Sequence, residues 1–414
     1  MTSNPLAALQ TTSLPATSAR SASSLRIALT TYSVKPRGGV VHTLELAESL
    51  QAAGIDVTVV AMGDPEAGFF RDVDVPVRII PSPAWGDTLE QRVFSWIDAM
   101  ATGLVEMRDK FDIVHSQDCI SARAAARVRD AGADFQLVRT VHHIDDFTTQ
   151  ALIDCQRNAI IEPDRVLVVS RLWQQRLMDD YGVDASIVTN GVRLERFAAL
   201  LKHERKVELR RLVGAEDRFL YLTVGGIEPR KGSTFLIQAL AHLKATRSEP
   251  PVLAVVGGHS FQDYQAYRDD VLSSLDGLGL ELGKDIILLG TVGEQELPEW
   301  FAAADGFVFP SINEGWGLAI LEAMSAGLPV VASDIEVFRE FLVDGRDAIL
   351  TRVGEPRSLA DGMARLIDEP ATSRRLSENG TALAAQYPWE TTAAQHMKIY
   401  DDIASAGKSA SGNN

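Results

Sequence analysis

The sequence predicts an α/β protein built from two doubly wound domains that face each other across a cleft. Three observations lead there. At 414 residues the chain exceeds one ordinary core, since about 150 residues per domain is the usual scale. Short apolar runs alternate with amphipathic stretches, the pattern of strand, crossover helix and parallel strand. Two such sets occur, separated by a charged segment poor in β-branched residues.

Residues 1–24 are mostly Ser, Thr, Ala and Pro, with no acidic residue and the single arginine Arg20. They predict a disordered extension; a transit peptide would carry several arginines on an amphipathic helix. From Leu25 the strand LRIALTTYS leads through KPRGGVV into the helix VVHTLELAESLQAAG and then the strand IDVTVVAM. FDIVHSQD, QLVRTVHH, RVLVVS and ASIVTNGV supply further strands, completing a first domain over 25–195. Residues 196–217 predict a linker and an exposed helix, whose Lys202, Arg205, Lys206, Arg210 and Arg211, interspersed with Glu204 and Glu208, form a solvated face. The second set fills a domain over 218–388: FLYLTVGG, VLAVVGG, DIILLGTV, GFVFPS, LPVVAS and AILTRV, with helices such as GSTFLIQALAHLKAT between. A closing helix is expected over 389–405 and a floppy tail over 406–414.

The excess of 56 acidic over 40 basic side chains, a net charge of −16, argues against a long surface tracking nucleic-acid phosphates, though not against a local basic pocket. Cys119 and Cys155, without a Cys-x-x-Cys, support neither a disulfide framework nor a structural zinc site, and point to free thiols in a reducing cytoplasm. The apolar runs fall far short of the ~20 residues a membrane span needs, leaving only peripheral membrane contact open.

The strongest chemical signal is SINEGWGLAILEAMSAGLPVV, where Glu314 and Glu322 stand eight positions apart. On one helix, ~100° per residue would rotate them onto different faces. Gly315 and Gly317 let the chain turn, so that Glu314 sits in the turn, Glu322 about one turn into the next helix, and both line one crevice at the carboxyl end of a sheet. Upstream, Arg230 and Lys231 precede Gly232 and a helix; two cations at a positive helix end call for an anionic partner, although no Walker A spacing is present. Gly38 and Gly39 offer open N–H groups at another helix start. His142, after an apolar strand, fits a substrate contact better than a metal ligand, because adjacent His143 points the other way on extended chain. His115 is equally compatible with a core role. Asp72 and Asp74 form an Asp-x-Asp pair, but Pro76 beside them favours an exposed edge or loop over a cation site.

Together these motifs resemble the retaining glycosyltransferases of family 4 (glycosyl transferases group 1), from about Leu25 to Tyr400. The marks are the Gly-Gly loop with HTLELAESL after it, DIVHSQD, TVHH, TNGV, GGIEPRKG, the segment holding both glutamates, and the closing YPW. The resemblance implies the GT-B architecture, two facing Rossmann-like domains, with the acceptor on the first domain, the donor on the second and the closing helix crossing back from Trp389. It further implies a nucleoside diphosphate sugar as co-substrate, no cofactor and no metal. The reaction implied is transfer of a hexose to an acceptor hydroxyl, on a small molecule, glycan or lipid, with retention. In these terms Glu322 holds the donor ribose. Glu314 and His142 lie by the sugar, as the catalytic pair; Gly39, Arg230, Lys231, Gly317 and Leu318 contact the donor phosphates or sugar. One position departs: Gly226 stands where the family has an arginine, leaving Arg230 to substitute. The acceptor is expected against variable loops such as Phe69 to Trp85. A sugar-nucleotide epimerase of the same fold and a non-catalytic sugar-nucleotide binding protein are the competing readings.

Overall fold

The computed structural model describes residues 25–84, 86–198, 201–258 and 264–411, with side chains to residue 405. The 1–24 extension, Trp85 and the last three tail residues lie outside these. Seven strands form the first sheet: β1 (Arg26–Thr31), β2 (Asp56–Gly63), β3 (Val77–Pro81), β4 (Ile113–Ser116), β5 (Gln136–Val141), β6 (Arg165–Val168) and β7 (Ser186–Ile187). Their order is β3-β2-β1-β4-β5-β6-β7, and every pairing is parallel. The second sheet takes β8 (Leu220–Val224), β9 (Val252–Val256), β10 (Ile286–Gly290), β11 (Gly306–Phe309), β12 (Val330–Ser333) and β13 (Ile349–Thr351). It runs β10-β9-β8-β11-β12-β13, again all parallel.

Helices cover both faces, which is why the central strands read as continuous apolar runs: all five residues of β9 and all four of β11 are buried. The strand order reverses between β1 and β4 in one sheet and between β8 and β11 in the other. Such switch points open a crevice at the carboxyl ends of the strands. The helices Gly38–Ala52, Ser233–Thr246 and Leu318–Ser325 begin there, and none has a side-chain cap on its first N–H groups.

The domains meet at these ends. A Cβ built on Gly315, in the turn after β11, would lie 2.0 Å from the carbonyl oxygen of His142, just past β5. The chain then returns to the first domain where Val192 bridges to Pro388, with Gly191 against the backbone of Trp389, 2.7 Å from a built Cβ to its Cα. From there the helix Trp389–Ser411 packs on Gly38–Ala52, and its Tyr400 hydroxyl bonds His115 Nδ1 at 2.6 Å.

Two expectations are corrected. The closing helix continues to Ser411 rather than stopping at 405, because Gly407 is the sole helix-disfavouring residue before Gly412 and costs only about 1 kcal/mol. The basic helix, His203–Leu212, is also less solvated than its composition suggests. It packs on Glu296–Ala303 of the second domain; Arg205 pairs with Glu299 and Arg210 with Asp305 and the Ala303 carbonyl.

Candidate active site

Lys231 closes a short 3₁₀ turn, Pro229–Lys231, and Gly232 follows at φ +68°. A Cβ at Gly232 would sit 2.1 Å from the Pro310 carbonyl oxygen, so the lysine turn and the chain after β11 touch backbone to backbone. Lys231 Nζ consequently reaches Glu314 Oε1 at 2.6 Å, and stands 4.5 Å from the centre of the Phe309 ring. Arg230 approaches the same oxygen at 3.4 Å and pairs with Glu228 at 3.0 Å. Burial pushes the Glu314 carboxyl up, but Lys231 and Arg230 outweigh it and hold it below the usual carboxylate range. Burial lowers the Lys231 ammonium, with Glu314 opposing.

Gly226 explains the departing position. A Cβ there would lie 2.6 Å from the carbonyl oxygen of Gly258, a backbone atom that has no rotamer to yield, so the observed strand ends leave no room for an arginine. Arg230 reaches the same surroundings through Glu228: its Nε pairs with one carboxylate oxygen at 3.0 Å, and the other would stand 3.3 Å from that Cβ. Gly317, at φ +120°, starts the helix Leu318–Ser325; its built Cβ would meet the Phe338 ring at 2.9 Å.

Glu322 lies one turn along that helix, half-buried, and its carboxylate makes no hydrogen bond or ion pair among the described residues. Burial pushes its carboxyl up to about 7; Arg196 opposes, while Glu45 and Glu294 reinforce the shift. Those neighbours are a charged cluster that the sequence reading missed. Glu45 pairs with Arg193 at 2.7 Å and Arg71 at 3.2 Å, and Glu294 with Arg196 at 2.9 Å. No spacing pattern links residues so far apart in the chain.

Across the cleft, His142 donates from Nε2–H to Gln117 Oε1 at 3.0 Å, and a Cβ on Gly39 would lie 3.7 Å from its Cδ2. Burial, then His42 and Arg139, hold its imidazole well below the ordinary histidine pKa, hence neutral. His42 stacks edge-on to it at 4.6 Å and bonds Asn190 at 2.9 Å. Gln117 and His42 both lie inside quoted motifs, DIVHSQD and HTLELAESL, where their types alone did not single them out. His115 is a satisfied core residue, bonded by Tyr400 and by Thr140 at 2.7 Å. Asp72 and Asp74 are exposed in the loop before edge strand β3. Cys119 and Cys155 are free thiols. Among the described residues, no group of three or more His, Cys, Asp or Glu could hold a metal ion, and no helix is long and apolar enough to cross a membrane.

Two family models divide the chain as the fold does: Glycosyltransferase Family 4 over residues 36–196 and Glycosyl transferases group 1 over 205–383. The chain belongs to the family 4 glycosyltransferases. It is similar to a phosphatidyl-myo-inositol mannosyltransferase of Mycobacterium tuberculosis, 27% identical over 91% of this chain and 96% of that one. A D-inositol 3-phosphate glycosyltransferase of Nocardioides is 29% identical over 70% of this chain and 67% of that one. Among solved structures, Anabaena HepE in complex with UDP and glucose matches 91% of this chain and all of its own, with TM-score 0.75 and 21% identity. Sucrose-phosphate synthase from Thermosynechococcus elongatus matches 92% and 100%, with TM-score 0.77 and 21% identity. The architecture is GT-B, and this family 4 glycosyltransferase is a hexosyltransferase. It moves a hexose from a nucleoside diphosphate sugar to an acceptor hydroxyl with retention of configuration.

Proposed function

We propose that the donor diphosphate binds Lys231, Arg230 and the open N–H groups at Gly317 and Leu318, with its ribose on Glu322 and its sugar between Glu314 and His142. The observation that carries this reading is the meeting of two cations and an uncapped helix start beside Glu314, in a turn whose Gly315 rests on the carbonyl of neutral His142. In the transfer, the bond from the anomeric carbon to the leaving phosphate oxygen breaks as the acceptor oxygen bonds that carbon on the same face. The acceptor proton passes to the departing phosphate. Negative charge grows on the diphosphate, where Lys231, Arg230 and helix N–H groups oppose it; this supplies the neutralisation without a metal. Neutral His142, whose Nε2–H is held by Gln117, accepts a hydrogen bond from a sugar hydroxyl at Nδ1, and Gly39 leaves room beside it. The acceptor hydroxyl enters from the first domain, in the cytoplasm. The inositol-bearing acceptors in two relatives' names support an acceptor that is a polyol or its phosphate or lipid conjugate.

The test is a screen of UDP-, GDP- and ADP-hexoses against the full chain. A donor at 100 times its Kd should stabilise the fold by about 2.7 kcal/mol, and should be turned over undiminished in EDTA. Loss of activity in EDTA that Mn²⁺ restores would sink the metal-free reading. Conversion of the donor to its epimer with no diphosphate release would favour the epimerase instead.

A further inference from the structure

Glu314 is aimed by more than its own domain. Its backbone carbonyl accepts a hydrogen bond from the indole Nε1–H of Trp173 at 3.1 Å, and Trp173 belongs to the first domain, on the helix Arg171–Tyr181, only 1% exposed. The second domain answers on the same helix. Glu340 accepts from the backbone N–H groups of Arg171 and Leu172, each at 2.8 Å, a cap laid on the positive helix end from across the cleft. Ser170 also caps this helix, at 3.4 Å from the Trp173 N–H, so Glu340 is not needed merely to start it. Between these contacts, Gly315 rests on the His142 carbonyl so closely that a Cβ would stand 2.0 Å from the oxygen. Two inter-domain contacts thus meet on the two-residue turn that carries Glu314, and the third holds the helix that supplies one of them.

We propose that Trp173 and Glu340 are positioning residues for the transfer: the helix Arg171–Tyr181 ties the Glu314–Gly315 turn to His142, so that the two groups flanking the sugar are set relative to each other by contacts that neither domain has alone. This rests on the role given to Glu314 above. A purely structural use of Trp173 would be met by its ring packing; the indole N–H directed at one carbonyl beside the site is what that use leaves unexplained. The hydrogen bond holds backbone, so it fixes where the carboxylate starts without taking one of its oxygens from Lys231.

The experiment uses the full, ligand-free chain. Trp173→Phe keeps most of the ring and deletes the donor, and Glu340→Gln keeps the size and removes the charge. Hydrogen exchange should rise about tenfold or more in the peptide spanning 312–318 for Trp173→Phe, and at Arg171 and Leu172 for Glu340→Gln, with β8 and β9 unchanged. Unchanged exchange in 312–318 overturns the proposal, as does exchange that rises throughout the chain, which would mark a general structural role. With the sugar nucleotide that the donor screen selects, Trp173→Phe should lower kcat about tenfold and move the donor KM less than twofold. In a Glu314→Gln background the same change should cost less than twofold, because the group being aimed is gone. Additive losses overturn the positioning role while leaving Glu314's role intact. A Glu314→Gln variant with full turnover defeats that role and this inference together.

Discussion

Donor affinity should depend on pH through Glu322, and the size of the effect follows from its surroundings. Burial without a cationic partner at hydrogen-bond distance pushes this carboxyl up to about 7, so it is about one-tenth ionised at pH 6 and nine-tenths ionised at pH 8. On the proposed binding mode the ribose hydroxyls donate to the carboxylate, which makes the ionised fraction the binding-competent fraction, and the donor Kd should tighten about tenfold from pH 6 to pH 8. Binding at pH 6 should release close to one proton, roughly 0.9 per donor bound. The sugar nucleotide is the right probe because its diphosphate, esterified at both ends, has no proton to lose in this range. Titration calorimetry in buffers of different ionisation enthalpy reads both the Kd and the proton count, with Glu322→Gln as the control that should bind weakly and without pH dependence. A donor Kd that is flat between pH 6 and 8, or that changes equally in Glu322→Gln, refutes the reasoning.

The same shift has a cost in the ligand-free protein. Folded Glu322 keeps between pH 4.5 and about 7 a proton that the unfolded chain releases, so stability falls as pH rises through that window; Glu322→Gln should recover roughly 2 kcal/mol more at pH 8 than at pH 5, read by denaturant unfolding. Lys231→Ala leaves the Glu314 carboxylate without its 2.6 Å partner, and should destabilise the fold by about 3 kcal/mol while abolishing donor binding; the Lys231→Ala, Glu314→Gln double variant should regain stability but not donor affinity in the same thermal and binding assays. Gly226→Arg should lower the unfolding midpoint, by about 1–3 kcal/mol of stability, and should not tighten donor binding; a stable, tighter-binding variant would show that the strand ends can yield. His42 is pushed down to about 3 and His396 to about 4 by burial, so their contribution is present above the ordinary histidine value of 6.5 and is lost as pH falls below it. Acid unfolding followed by circular dichroism should therefore begin below about pH 6, with more than one proton taken up.

The strands were legible because each central run is buried on both faces and flanked by turn residues, and every predicted run of either set lies in a parallel strand. The turn between Glu314 and Glu322 was equally legible, since Gly315 and Gly317 admit few other backbones. What the sequence hid lies in contacts between residues distant in the chain. Nothing in PRKG indicates that Lys231 reaches Glu314; that depends on Gly232 letting the Pro310 carbonyl come close. Glu322 reads as an isolated helix glutamate until Arg196, Glu45 and Glu294 gather near it from three separate elements. The basic helix misled because Arg205 and Arg210 look solvent-facing in composition, and only the fold supplies Glu299 and Asp305. The tail misled for the opposite reason: Ser, Ala and Gly read as disorder locally, whereas a helix already nucleated at Trp389 needs only residues that do not stop it.

The Lys231–Glu314 pair narrows what Glu314 can do. A carboxyl held below its ordinary range by two cations is ionised at neutral pH, which removes it as a proton donor to the leaving group. Serving as nucleophile would require it to leave Lys231 at the moment when that ammonium is drawn to the diphosphate. On the proposed binding mode the competition runs the other way: an arriving diphosphate carries more charge than one carboxylate, so it would take Lys231 and Arg230 as partners and release Glu314 toward the sugar, still anionic. There its charge opposes the positive charge that develops at the anomeric carbon as the bond to phosphate lengthens. In the empty site, the same carboxylate neutralises the buried lysine, which would otherwise stand uncompensated. On that binding mode one residue would hold the phosphate site ready and then act on the sugar, the exchange of partners between the two states being driven by the donor's own charge.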